Sequence, residues 1–230
     1  MANILLKYFL EKFDATPKEI KEPGPVVTIS REFGCSGTLL ASCLCEILNS
    51  KNGIGNPKTN WQCINKEIIE KSAKELNLHP TKIKQFFNSE QKSMIDDILS
   101  TFLESNYKND IKIKKTIAEV VHSFAFQGHK IIIGRGGVAL TQHIQNALQI
   151  KLFAPLEWRL MKIKSKFHIT DEEARKRIIE TDKQRQALND YFFKKKTDNS
   201  IYDLIINSAS FSVDEITEII SNAMKLKKIE

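Results

Sequence analysis

A chain of 230 residues, 41% hydrophobic and 27% charged, is long enough for one well-cored domain with a small lid, and its 9 glycines and 6 prolines are too few for a disordered or collagen-like chain. A formal charge of +7 and a sequence pI near 9.1 favour anionic partners without choosing between a nucleotide and a nucleic acid. The four cysteines, Cys35, Cys43, Cys45 and Cys63, have neither paired C-x-x-C spacing nor a matching histidine pair, which argues against zinc and for reduced thiols in a cytoplasm.

Residues 2–13 space Ile4, Leu5, Tyr8, Phe9 and Phe13 as an amphipathic helix, suited to cap its own domain or to pair two copies as a homodimer. Lys7, Glu11 and Lys12 interrupt its apolar residues, so it does not read as a signal peptide, and no run approaches the length of a membrane span. A polar, proline-marked connection follows. Residues 1–24 thus form an appendage to a domain of residues 25–230.

Pro25 to Ala41 reads as a buried strand, a glycine-bearing turn and a helix start in one run. Val26, Val27 and Ile29 suit a strand covered on both faces, and Leu39, Leu40, Cys43, Leu44, Ile47 and Leu48 form a helical stripe. A strand passing through a loop with free amides into a helix N-terminus cradles anions, because unpaired N–H groups and the helix dipole both favour phosphate. The phosphate-loop pattern G-x-x-x-x-G-K-[ST] places a lysine after its second glycine, whereas here Gly37 is followed by Thr38 and Leu39. An ordinary strand-to-helix turn with glycines for close packing has the same local sequence.

Further along, Trp61–Ile64 is a short apolar segment, and Asn65 can cap a helix carrying Ile68, Ile69 and Leu76. Two helical stripes follow, one over Met94, Ile95, Ile98, Leu99, Phe102 and Leu103 and one over Ile113, Ile117, Val120, Val121 and Phe124. Lys130–Gly134 is a buried strand with Arg135, Gly136 and Gly137 at its carboxyl end, where open α/β sheets bind ligands. Leu148–Phe153 is another strand, and Pro155 opens a helix bearing Trp158 and Arg159.

Thr170 and Glu173 make a capping box for a long basic helix running to about Phe193. At 100° per residue Arg175, Ile178, Asp182 and Arg185 share one face and Arg177 points away. Such a face can hold an anion, or it can be an exposed ion-paired surface. Tyr202–Asn207 reads as the last strand, and Ser212 with Glu215 caps the last helix, striped by Val213, Ile216, Ile219 and Ile220. Strands and helices alternate, so the fold class is α/β with a parallel sheet covered on both faces.

Five segments in register carry a family resemblance: Thr28–Gly34 (TISREFG), Gly134–Gly137 (GRGG), Ala154–Arg159 (APLEWR), Ala174–Arg185 with its Asp182 and Arg185 pair, and Tyr202–Asn207 (YDLIIN). Over about Val26 to Ile220 the chain resembles the cytidylate kinase-like family, a branch of the P-loop nucleoside monophosphate kinases. The resemblance implies a three-layer P-loop NTPase fold with about five parallel strands and a helical lid near residues 165–197. It also implies transfer of the ATP γ-phosphoryl group to CMP or dCMP with Mg2+ in the cytoplasm, and no tightly bound protein-ligated metal.

Position by position, Arg31, Gly34, Cys35, Ser36, Gly37 and Thr38 would hold the ATP phosphates. Arg135, Arg159, Asp182 and Arg185 would bind the acceptor nucleotide, and Arg175 or Arg177, with Arg185, would act on the transferring group. The missing loop lysine leaves Arg31, Lys51 or Lys58 as a stand-in, and the acceptor segment, commonly bearing an aspartate, reads Ile64-Asn65-Lys66. The alternative of another class is a catalytically lapsed nucleotide-binding or interaction module on the same fold. Nucleic-acid and membrane partners are not expected, since interleaved aromatics and a recognised binding module are both missing.

Overall fold

The computed structural model describes residues 24–51, 59–68 and 108–229. The expectations for residues 2–13, for the loop at 52–58 with Lys58, for the helix beyond residue 68 and for the Met94–Leu103 stripe lie outside them. The chain divides into two compact units, one of residues 1–22 and 67–120, the other of residues 23–66 and 121–230. The second unit carries the sheet.

Five strands form that sheet: β1 (Val26–Arg31), β2 (Gln62–Ile64), β3 (Lys130–Ile133), β4 (Ala147–Phe153) and β5 (Leu204–Asn207). Their order is β2-β3-β1-β4-β5 and every pairing is parallel, with Val26 opposite both Lys130 and Ala147. β1 is therefore the central strand, and its Val26, Val27 and Ile29 have no exposed surface. Because all strands run one way, the loops after β1, β3 and β4 meet at a single edge.

Helix α1 (Gly37–Lys51) covers one face together with the last helix, and α2 (Lys108–Gln127) precedes β3 with Ile117, Val120, Val121 and Phe124 buried. Val27, Ile29, Ile131, Ile150 and Leu152 point to the α1 side, where Leu40, Leu44, Ile216 and Ile220 complete the main core. A fully buried residue of this size contributes roughly 1.5–3 kcal/mol. On the other face lies α3 (Gly137–Leu140), a short helix the sequence pattern does not reveal. Beneath it Thr28 Oγ1 is hydrogen-bonded to Gln149 Oε1, and Gln149 Nε2 donates to Thr141 Oγ1 at 2.9 Å.

Helices α4 (Leu156–Phe167), α5 (Asp171–Phe193) and α6 (Val213–Leu226) fall where the helix signals place them. Both capping boxes form: Thr170 Oγ1 accepts from the Glu173 amide at 3.3 Å, and Ser212 Oγ from the Glu215 amide at 3.3 Å. Thr170→Ala is expected to cost about 1 kcal/mol in urea unfolding, since α5 has few buried residues to hold its first turn otherwise. The last strand starts at Leu204, not Tyr202, because Asn199–Ile201 forms a 3₁₀ turn capped by Asp198 and the Asp203 carboxylate accepts the Gln149 amide at 2.7 Å.

His122 on α2 is 4% exposed, its Nε2 has no hydrogen-bond partner among the described residues, and the His143 ring lies 5.6 Å away. Burial, and then the nearby His143, push its pKa down to about 4. The folded state therefore takes its proton later than the unfolded chain does. Stability from this site is complete above pH 6.5 and is lost as pH falls towards 4, by up to roughly 3 kcal/mol. His122→Phe is expected to flatten that part of the curve in urea titrations at stepped pH.

Candidate functional site

The carboxyl end of β1 does not stop at Arg31. The Glu32 amide donates to the Leu152 carbonyl at 3.0 Å, which carries the ladder one residue further, and the chain then turns through Phe33–Ser36 into α1. In that turn the Cys35 amide donates to the Glu32 carbonyl at 3.2 Å and the Gly37 amide to the Cys35 carbonyl at 2.8 Å. Among the described residues the amides of Gly34, Ser36, Thr38 and Leu39 have no protein acceptor. Four unpaired donors at a helix start form an anion cradle. The Cys35 thiol lies inside the turn, and burial raises its pKa to about 11, so this residue offers backbone and no nucleophile.

A second sharp turn follows β3. Gly134, Arg135 and Gly136 are all left-handed, with φ of 68°, 54° and 72°. An arginine pays for that conformation in strain, and the two glycines are required by their neighbours as well. A Cβ on Gly134 would lie 2.0 Å from Arg31 Nη1, and one on Gly136 would lie 2.3 Å from the Phe192 ring of α5. Gly136→Ala is expected to cost about 1–3 kcal/mol by forcing α5 away, measurable as a lowered melting temperature.

Arg31, Arg135 and Arg185 meet beyond these turns. The stem of Arg31 runs beside Gly37 and its guanidinium beside Gly134. Arg185 reaches in from α5, donating from Nη1 to the Arg31 carbonyl at 2.8 Å and lying 5.6 Å over the Phe33 ring. Burial, then Arg185 and Arg135, hold the Arg31 pKa down at about 10, and burial lowers that of Arg185 too. These cations repel one another in a cleft of about 480 Å³, whose walls add Lys66, Lys151 and Lys183 and, among the described residues, only two carboxylates, Glu32 and Asp182. Tyr202 closes one side, its hydroxyl accepting from Asn189 Nδ2 at 3.4 Å.

Both carboxylates are already engaged by Arg159, which is 8% exposed. Its Nη1 lies 2.6 Å from Asp182 Oδ2 and 3.3 Å from the Phe33 carbonyl, while its Nε bonds the Ala154 carbonyl at 3.0 Å and sits 3.3 Å from Glu32 Oε2. Asp182 Oδ1 accepts the Phe33 amide at 2.7 Å, and Glu32 Oε2 accepts the Ala154 amide at 3.2 Å. One guanidinium and two carboxylates thus tie the loop after β1, the start of α4 and the middle of α5 together. The partners of Asp182 lie off its own helix, so its face is not simply an exposed ion-paired surface.

Of the residues singled out in the sequence, Arg31, Arg135, Asp182 and Arg185 line the cleft. Gly34, Cys35, Ser36, Gly37 and Thr38 form the adjoining cradle, not the wall. Arg159 stands behind that wall with its Nε and Nη1 donors engaged by the chain. Arg175 is half-exposed and pairs with Glu157 at 3.3 Å, and the Arg177 guanidinium stacks 4.6 Å over the Phe167 ring, so neither is at the cleft. Sequence reading passed over Lys151 and Tyr202 as site residues. A lysine near the carboxyl end of the strand Leu148–Phe153, where open α/β sheets bind ligands, was the available signal for the first.

The cytidylate kinase-like family profile matches residues 26–210. Cytidylate kinase of Methanocaldococcus jannaschii is 29% identical over 180 residues, covering 76% of this chain and 97% of that protein. Cytidylate kinase of Sulfolobus acidocaldarius is 29% identical over 132 residues, covering 57% of this chain and 70% of that one. Among solved structures, an uncharacterized protein from Eubacterium ventriosum superposes with a TM-score of 0.65 at 18% identity, covering 87% of this chain and 98% of that chain, a likeness of fold. Among the described residues no helix is long and apolar enough to cross a membrane.

Proposed function

The chain belongs to the cytidylate kinase-like family of nucleotide kinases, with a three-layer P-loop fold, and on that premise we propose that it transfers the γ-phosphoryl group of ATP to CMP or dCMP. The observation that carries this reading is the convergence of Arg31, Arg135 and Arg185 on one cleft beside a cradle of amides that have no protein acceptor among the described residues. A cluster of mutually repelling guanidiniums is stabilised by bound anions, and bidentate arginines suit phosphate geometry.

In this reading the amides of Gly34, Ser36, Thr38 and Leu39 receive the ATP phosphates. Arg31, whose stem lies against Gly37, supplies the cation that a loop lysine would bring. Arg135 and Arg185 hold the acceptor phosphate in line for attack, so catalysis is positioning and charge neutralisation by fixed groups. Asp182 keeps Arg159 and the loop in place while lining the acceptor side.

Magnesium keeps much of its water shell and needs few protein oxygens. The exposed hydroxyl-bearing residues Ser36 and Thr38, beside the unpaired amides, fit that requirement. When bound, the ion neutralises charge on the phosphates.

The lid comprises α5 and its flanks, about residues 165–197, and closes to exclude water. The Arg175–Glu157 pair is solvent-exposed and worth less than about 1 kcal/mol, so Arg175 is released at little cost when the lid moves. Arg177 leaves its Phe167 ring at comparably small cost.

A coupled assay of ADP release with ATP, magnesium and a panel of monophosphates tests the reading. CMP or dCMP is expected to give the highest kcat/KM. Thermal stabilisation by nucleotides without turnover of any acceptor would instead identify a lapsed binding module.

A further inference from the structure

Behind the turn that carries Arg135 runs a chain of buried polar side chains that touches no part of the cleft. Thr28 on β1 and Gln149 on β4 stand opposite one another in the parallel ladder, and strand alternation turns both away from α1. Thr28 is 1% exposed, Gln149 5%, and Thr141 at the end of α3 has no exposed surface. The Thr28 hydroxyl donates to Gln149 Oε1, Gln149 Nε2 donates to Thr141 Oγ1 at 2.9 Å, and Thr141 Oγ1 donates to the Gly137 carbonyl at 2.9 Å. Apolar residues of the same shape would fill this space at a lower desolvation cost, so packing alone does not explain these three. Hydrogen bonds are directional, and a fully paired buried chain selects one geometry.

The geometry it selects is that of the turn. Gly134, Arg135 and Gly136 are three successive left-handed residues, and such backbone persists only where the surroundings over-determine it. The Gly134 amide donates to the Ile29 carbonyl at 3.0 Å and the Gly137 amide to the Gly134 carbonyl at 2.9 Å. Beyond them α3 has four residues and no side-chain cap at Gly136, which is too short to hold itself. Its first residue, Gly137, is pressed so close to the sheet that a Cβ there would lie 3.0 Å from Ile132 Cγ2 and 3.6 Å from Thr28 Cγ2. The chain from Thr28 ends on the carbonyl of that same residue.

We propose that Thr28, Gln149 and Thr141 are positioning residues for Arg135: the chain runs from β1 through β4 to α3 and sets the direction in which that arginine enters the cleft. Its effect on the acceptor rests on the phosphate role proposed for Arg135, whereas its hold on the turn does not.

Thr141→Val keeps the shape of the side chain and removes its hydroxyl, while Thr141→Ser keeps the hydroxyl and removes the methyl. By hydrogen exchange and mass spectrometry on the full chain, a peptide spanning Gly134–Thr141 is expected to exchange about tenfold faster in Thr141→Val, with Thr141→Ser close to the wild type. In the coupled assay Thr141→Val is expected to raise KM for the acceptor about 10–100-fold and KM for ATP less than about twofold. In an Arg135→Met background the same change is expected to add nothing, because it acts through that arginine. Unchanged exchange in Thr141→Val, greater damage from Ser than from Val, or an equal rise in KM for ATP and acceptor would each overturn the proposal. Faster exchange in the variant, with no monophosphate turned over even by the wild type, would support the hold on the turn and sink the kinase reading instead. Thr28→Val keeps the methyl beside Gly137 and breaks the other end of the chain, so it gives the same readings should Thr141→Val fail to fold.

Discussion

Arg31→Met is expected to melt higher than the wild type without nucleotide, and to lose about 10²–10³-fold in kcat/KM with ATP and an acceptor. The stability gain follows from the charge cluster. Burial, Arg185 and Arg135 lower the folded-state pKa of Arg31 from 12.5 to about 10, so the guanidinium is less welcome in the fold than in the unfolded chain. That penalty is present in full at every pH below about 10 and fades only as pH approaches the unfolded value. At about 1.4 kcal/mol per pKa unit it is on the order of 3 kcal/mol, and the packing lost beside Gly37 and Gly134 leaves roughly 1–2 kcal/mol of net gain. For a chain of this size that is a rise of about 2–8 °C.

The kinetic loss has the same origin. On the proposed function, a cation held among other cations is useful when phosphates arrive, and stability is traded for that use. Arg31→Lys is expected to recover part of the rate, because a point charge replaces a fork. Differential scanning fluorimetry with and without nucleotide, alongside the coupled assay, measures both halves. A variant that is less stable and turns over normally would show Arg31 to be a packing residue.

The second large effect is expected at Arg159. Arg159→Met removes the group that neutralises Asp182 and Glu32 and that bonds the Ala154 and Phe33 carbonyls. Removing one partner of a buried charge network costs about 3–5 kcal/mol. The carboxylates here are 26% and 29% exposed, so water repays some of that and about 2–4 kcal/mol remains. Asp182→Asn should recover part of the loss in the double variant, with a coupling of about 1–3 kcal/mol in urea unfolding. A single-variant cost under about 0.5 kcal/mol would mean the network contributes no more than a surface pair. KM for ATP should rise more than KM for the acceptor, since Asp182 and Arg159 both grip Phe33, one residue before the cradle.

Much of this architecture was legible along the chain, for reasons local to each segment. Val26–Ile29 and Lys130–Ile133 are apolar on both faces, as a central parallel strand must be, and the Thr170/Glu173 and Ser212/Glu215 spacings mark helix starts because the reciprocal bonds they make span three residues. The arginine after β3 and the basic face of α5 were visible for the same reason, since a strand end and a helical period are both short-range facts.

Sequence alone determined the alternation of strands and helices, their capped ends, and the surplus of positive charge beside a glycine turn. Tertiary structure decided which arginines meet and which are paired. Arg31, Arg135 and Arg185 share a cleft while Arg159 is consumed in holding Asp182 and Glu32, and nothing in the sequence around Arg159 sets it apart from the others. A guanidinium takes its role from the carboxylates and carbonyls within about 3 Å of it, and for Arg159 two of those, Phe33 and Glu32, come from more than a hundred residues away in the chain.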